Sequence, residues 1–313
     1  MRIATQTFAK LQGLWNKQNR SSVASDKIRS ALGCLLVTPG ETRWNSTYDA
    51  VVKIHHLLSS PNTEAKFDKL CEELDIRRLL PQQKTFVQEY VEVFQLVCCG
   101  LDVLQGEKDV GLGHLLSTLA VVKGQLTDMS VCGPIVQLLL NGIENRFKLM
   151  LTNTNAQLAA VVHPKFKCDW VLDEDERSRL VNILKRSVAS TASISQPADN
   201  NENPHTSATE TSASPPKDFF AVLASRRQQA AAGVGCDIEE ELSKYLSDSS
   251  ADLNSLDRYP NIRKLFITLN TGLPASAAVE RLFSLGGRVF SPLRAKLSSE
   301  HFEMMLFLRC ANF

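Results

Sequence analysis

The sequence predicts a mainly helical protein, and three observations carry that expectation. Apolar residues recur at helical spacing through most of the chain, no segment shows the period-two alternation of a half-buried strand, and Pro81, Gly111, Gly113 and Pro134 open or break the periodic stretches. At 313 residues the chain can bury one large core or two smaller ones. A hydrophobic share of 43% and a charged share of 22% are ordinary for a globular protein.

The periodic segments run in order from the first third of the chain. Asp49 to Leu58 places Val51, Ile54, His55 and Leu58 on one helical face. Phe67, Leu70 and Leu74 repeat the pattern, and Lys84 to Leu104 extends it, with Pro81 as a start signal. Gly111 and Gly113 break the chain before an apolar helix near Leu115 to Val122. Another helix follows Pro134, from Ile135 to Leu151, carrying Leu138, Leu139, Phe147 and Met150.

Residues 187–217 change character, with Ser, Thr, Ala, Asn and Pro dominant and only Val188 and Ile194 suited to a core. Such a composition cannot offset an ordering cost of roughly 1–2 kcal/mol per residue, so a disordered linker is expected there. It divides the chain into regions 1–186 and 218–313. In the second region, 238–246 reads as a short acidic helix with Leu242, Tyr245 and Leu246 inward.

The C-terminal stretch is the most informative. Gly272 and Pro274 end one element and open a helix with Pro274 near its first position. Ala277, Ala278, Leu282 and Phe283 cover one face of that helix, and Gly286 and Gly287 are expected to stop it while leaving room for a close helix crossing. Ser298 or Ser299 can cap a last helix, with Glu300 and Glu303 where the macrodipole favours acids. Six of the seven residues from Phe302 to Leu308 are apolar, so that helix must be covered either by its own core or by another subunit.

Charge and cysteine content narrow the function classes. Net charge is +1, which by itself points to neither nucleic acid nor membrane. Its distribution is uneven: residues 1–47 hold seven Lys/Arg and two acids, 237–257 one Lys and seven acids, and 258–313 eight basic residues and three acids. The basic ends are either solvated faces or a weak, non-specific, salt-sensitive attraction for DNA. Eight cysteines at 34, 71, 98, 99, 132, 168, 236 and 310 form no CxxC pair, and no His pair has zinc-finger spacing, so no metal site is expected. The adjacent Cys98 and Cys99 suit a buried helix face, and His55 with His56 makes a poor ligand pair. Thiols of this kind point to the nucleus or cytoplasm. The first ten residues lack the apolar core of a secretory signal, and no run nears the ~18 apolar residues of a membrane span, so no membrane partner is expected.

Three segments together resemble a known family. Tyr259-Pro260, Leu273-Pro274-Ala275-Ser276, Glu280-Arg281-Leu282-Phe283-Ser284, then Gly287, Arg294, Leu297 and the terminal Met-Leu-Phe-Leu-Arg run in the order of the C-terminal dimerisation region of hAT transposases. Trp15-Asn16-Lys17 and the run from Thr42 to Tyr48 (TRWNSTY) resemble the opening of that family's helical insertion. His163-Pro164-Lys165-Phe166-Lys167 resembles its LDPRFK segment, with His163 for the usual Asp and Lys165 for the usual Arg.

The resemblance implies a helical insertion region over 1–186 and a dimerisation domain over 218–313. Active members hold two divalent metals on an Asp, Asp, Glu triad in a ribonuclease-H-like core. The resemblance equates the Glu with Glu280 and puts both Asp residues upstream of the insertion, so in this chain Glu280 is expected to be orphaned, with no functioning catalytic residue and no cofactor. Magnesium would matter only if a complete acidic triad were supplied elsewhere. Glu280 then serves as a first-turn helix acid. Arg43 and Trp44 either contact DNA, as the resemblance implies, or Trp44 anchors the first insertion helix while Arg43 pairs with Glu41 or a helix end. Leu282, Phe283, Phe302, Met305, Leu306 and Phe307 are the expected core and dimerisation residues, and the expected partner is a second copy of the chain. The function so implied is that of a non-catalytic, transposase-derived protein acting through dimerisation. The alternatives are part of a transposase whose strand-transfer core lies upstream or on a partner, and a non-specific DNA-binding regulator.

Overall fold

The computed structural model describes residues 2–40, 44–106, 109–194, 238–290 and 296–310. Among them every regular element is helical and none is a strand, as the sequence predicts. The chain divides into two compact units, residues 1–103 with 118–148 and residues 104–117 with 149–313.

The first unit holds α1 (Arg2–Arg20), α2 (Ser22–Leu32), α3 (Trp44–Leu58), α4 (Pro61–Glu73), nearly all of α5 (Pro81–Leu104), and most of α6 (Gly113–Thr127) and α7 (Gly133–Leu151). Local chemistry sets the ends. Ser21 caps α2 by accepting the Ala24 N–H at 3.2 Å, and Gly33 closes it at φ +73°, a left-handed conformation that glycine adopts without a Cβ penalty. Pro61 and Pro81 open α4 and α5, where a missing N–H costs nothing.

Leu11, Leu14 and Trp15 of α1, Ile28 of α2, Val51 and Ile54 of α3, Phe67 and Leu70 of α4 and Val87 of α5 form its main core. Val93, Val122, Leu126 and Val136 form a smaller cluster. The buried stripe of α3 is Ala50, Val51, Ile54 and Leu57, rotated slightly from the expected one, so His55 and Leu58 are only half buried. Cys98 is buried and Cys99 exposed, because consecutive helical residues stand about 100° apart and one face cannot take both.

The second unit contains α8 (Thr154–Val161), α9 (Glu174–Ile194), α10 (238–247), a 3-10 turn at Leu253–Arg258, α11 (Pro260–Asn270), α12 (Ala277–Val289) and α13 (Ser299–Cys310). Leu180, Leu184 and Val188 of α9 repeat every four residues and are fully buried with Val161, Leu242, Tyr245 and Ile262.

That stripe corrects the expected boundary near residue 186. Val188 continues the core-facing row of α9, so the helix runs on to Ile194 through the first eight residues of the expected linker, whose remainder lies outside the described residues. Residues 149–186 likewise belong with the C-terminal region, because α8, α9 and α11 pack on one another.

Two polar pins fix this unit. The Asn270 side chain accepts the Gly113 N–H at 2.8 Å and donates to the Ala159 carbonyl at 3.1 Å. Both contacts need glycine at 113, where a Cβ would lie 2.4 Å from the Ala159 oxygen. Glu241 of α10 accepts the Asn261 and Ile262 N–H groups at 2.9 and 3.0 Å, supplying the donors at the start of α11 with the negative charge they favour.

Candidate dimerisation surface

α12 and α13 pack on each other as a helical hairpin. Ser276 is the N-cap residue of α12, so Pro274 lies two residues ahead of the cap rather than at the first helical position. The helix also runs past Gly286 and Gly287 to Val289, against the expected stop. Packing explains the difference: Gly286 is buried with a would-be Cβ 3.3 Å from the Phe302 ring, Val289 is fully buried, and Phe290 meets Phe302 edge-on at 6.1 Å. Ser298 caps α13, its hydroxyl oxygen accepting the His301 N–H at 3.3 Å, and Glu300 falls in the first turn as expected.

The expected core and dimerisation residues separate into two sets. Phe302, Met305 and Leu306 lie on one side of α13 and are half buried. Met304, Phe307 and Leu308 lie on the opposite side and are exposed, Phe307 to 65%. On α12, Leu282 is 40% and Phe283 73% exposed, with Val279 and Phe290 also open. No residue of α13 is buried within the chain. Among the described residues α13 thus leaves one apolar side open, the kind of surface that marks protein–protein contacts.

Glu280 stands in the first turn of α12, exposed, and accepts a hydrogen bond from the Ser276 hydroxyl at 2.7 Å. Its neighbour Arg281 donates to the Gln105 carbonyl at 3.1 Å. Among the described residues no group of three or more His, Cys, Asp or Glu is placed to hold a metal ion, so they do not fit the two-metal site that the resemblance implies. Burial pushes the Cys71 thiol up to about 11 and the Cys98 thiol up to about 12, away from the thiolate a nucleophile needs. Arg43 lies outside the described residues, as does the side chain of Trp44, the residue that opens α3. Among the described residues no helix is long and apolar enough to cross a membrane.

The His163 segment builds a buried cluster that its sequence spacing did not announce. His163 packs against His114 at 4.8 Å between ring centroids, with Phe166 at 4.6 Å and Phe266 of α11 at 5.5 Å. Nδ1 of His163 accepts the Lys165 N–H at 3.2 Å, and Nδ1 of His114 accepts the Gly111 N–H at 3.3 Å, so both neutral rings carry their proton on Nε2. Burial holds both histidines below their ordinary value, His163 at about 4. The buried Lys167 ammonium bonds to the Asp248 carbonyl at the end of α10 and lies 5.0 Å from the centre of the Tyr245 ring. His114 and Phe266 lie more than forty residues from His163 in sequence, which is why spacing alone did not reveal the cluster.

Residues 237–311 match the family model described as the hAT family C-terminal dimerisation region. No curated protein matches the chain. The matched span opens just before α10 and takes in α11, the α12–α13 hairpin and its open apolar side. Over residues 237–311 the chain is thus similar to the C-terminal dimerisation region of the hAT family.

Proposed function

We propose that the chain works as a self-associating, non-catalytic protein of hAT transposase origin, joined to a second copy through the open side of the α12–α13 hairpin. The observation that carries the proposal is the exposure of Val279, Phe283 and Phe290 at α12 and of Met304, Phe307 and Leu308 on the side of α13 turned away from Phe302. A stable interface of this apolar kind buries on the order of 2,000 Å². Six large side chains from each of two subunits are the right material for it, and the match to a dimerisation region supports the same reading.

The non-catalytic part of the proposal rests on Glu280, whose carboxylate is occupied with the first turn of its own helix. Incubating the full chain with duplex DNA and magnesium or manganese tests it. No cleavage is expected, and metal-dependent cleavage abolished by Glu280→Gln would transfer the reading to an enzyme. A transposase-related protein acts where DNA is, so we also propose a nuclear location, tested by fractionation, with exclusion from the nuclear fraction as the contrary result.

A further inference from the structure

The open face of α12 holds a bulky residue and an empty position one helical turn apart. Phe283 is 73% exposed, and Gly287, on the same face, is a glycine whose missing Cβ would meet no heavy atom within 4 Å. Gly286 beside it has an evident purpose, since Phe302 packs over it. Gly287 has no comparable neighbour, yet glycine is among the poorest residues for the body of a helix. A glycine there is explained if something from outside the chain needs the space.

We infer that α12 pairs antiparallel with α12 of a second copy, each Phe283 seating in the notch at the partner's Gly287. This deepens the dimer reading and rests on it. A two-fold axis makes residue i meet j while j meets i, so the contact closes when the axis passes level with Leu285, midway between Phe283 and Gly287. Parallel pairing would instead set Phe283 against the partner's Phe283 and leave the two notches facing each other empty.

Charge selects the same arrangement. Glu280 lies near the start of α12 and Arg288 near its end. Antiparallel pairing brings Glu280 beside the partner's Arg288 on the same flank, whereas parallel pairing holds the two about 12 Å apart along the helices. Phe290 and Val279 extend the apolar strip at the two ends of the helix and would be covered by the same contact.

The test is the dimer dissociation constant of the full chain by sedimentation, read beside helicity and thermal midpoint. Gly287→Leu fills a position that is open within the chain, so the fold is expected to hold or gain slightly while dimer dissociation rises at least tenfold. Phe283→Ala is expected to weaken the dimer similarly. The double variant Phe283→Ala/Gly287→Leu, which moves the bulk from one position to the other, is expected to recover most of the lost affinity. A Gly287→Leu protein that dimerises as tightly as the unaltered chain overturns the inference, and so does a double variant no tighter than the single ones. If Phe307→Asp abolishes the dimer while Gly287→Leu leaves it unchanged, self-association stands and the contact moves to α13. A chain that is monomeric without substitution overturns both readings together.

Discussion

Acid should weaken the second unit through the His114–His163 pair, and His163→Phe should remove much of that sensitivity. Both rings are buried among Phe166 and Phe266, and both present Nδ1 to a backbone N–H that already donates to it. A proton added at Nδ1 would therefore break that bond as well as charge the cluster. The charged groups facing the pair are Lys165, which opposes protonation of both rings, and Asp109, which favours it at His114; Arg263 and Lys264 of α11 are exposed.

His163 is held at about 4 against an ordinary value of 6.5, so the unfolded chain binds its proton first as pH falls. The stability it contributes is complete above pH 6.5 and declines as pH drops toward 4. At pH 4.5 the loss from this one group is roughly 2.5 kcal/mol, at about 1.4 kcal/mol per pH unit between the two values. Urea unfolding at pH 7 and 4.5, followed by circular dichroism, measures the loss. His163→Phe keeps a ring in the cluster without a titrating group, and its loss should be smaller by about that amount. Equal acid losses in the two proteins would refute the reasoning.

Three further substitutions probe the packing of the second unit and its neighbouring helix. Tyr245→Phe removes a buried hydroxyl that donates to the Val161 carbonyl at 3.0 Å, and should cost about 1–2 kcal/mol by urea unfolding without altering helicity. Gly113→Ala drives a methyl against the Ala159 carbonyl and should cost about 3 kcal/mol. Gly124→Ala, also in α6, meets no heavy atom within 4 Å and should stabilise by up to about 1 kcal/mol; similar thermal shifts for the two glycine variants would show the close approach at Gly113 to be unimportant.

Helices were legible because their signals are local. Pro81 and Ser298 mark element starts by chemistry that acts within a turn. The misjudged boundaries came from burial overriding local propensity. Val188 sits at the head of a Ser- and Ala-rich stretch that reads as linker, yet its neighbours across the core hold it in helix. Gly286 and Gly287 read as a stop, yet Val289 and the Phe302 contact carry α12 through them. The candidate surface was half legible. The apolar residues of α13 stand out in sequence, but which of them turn inward depends on where α12 lies, and only the fold separates Phe302, Met305 and Leu306 from Met304, Phe307 and Leu308. The His114–His163 pairing was not legible, since nothing near either residue points to the other.

Self-association is the central claim, and the mass of the full chain in solution tests it most directly. Sedimentation equilibrium at micromolar concentration is expected to give twice the 34.7 kDa of one chain. Phe307→Asp, which sets a charge on the open side of α13, should return the mass toward that of one chain while helicity is kept. A folded chain that stays at 34.7 kDa across that concentration range would contradict the account.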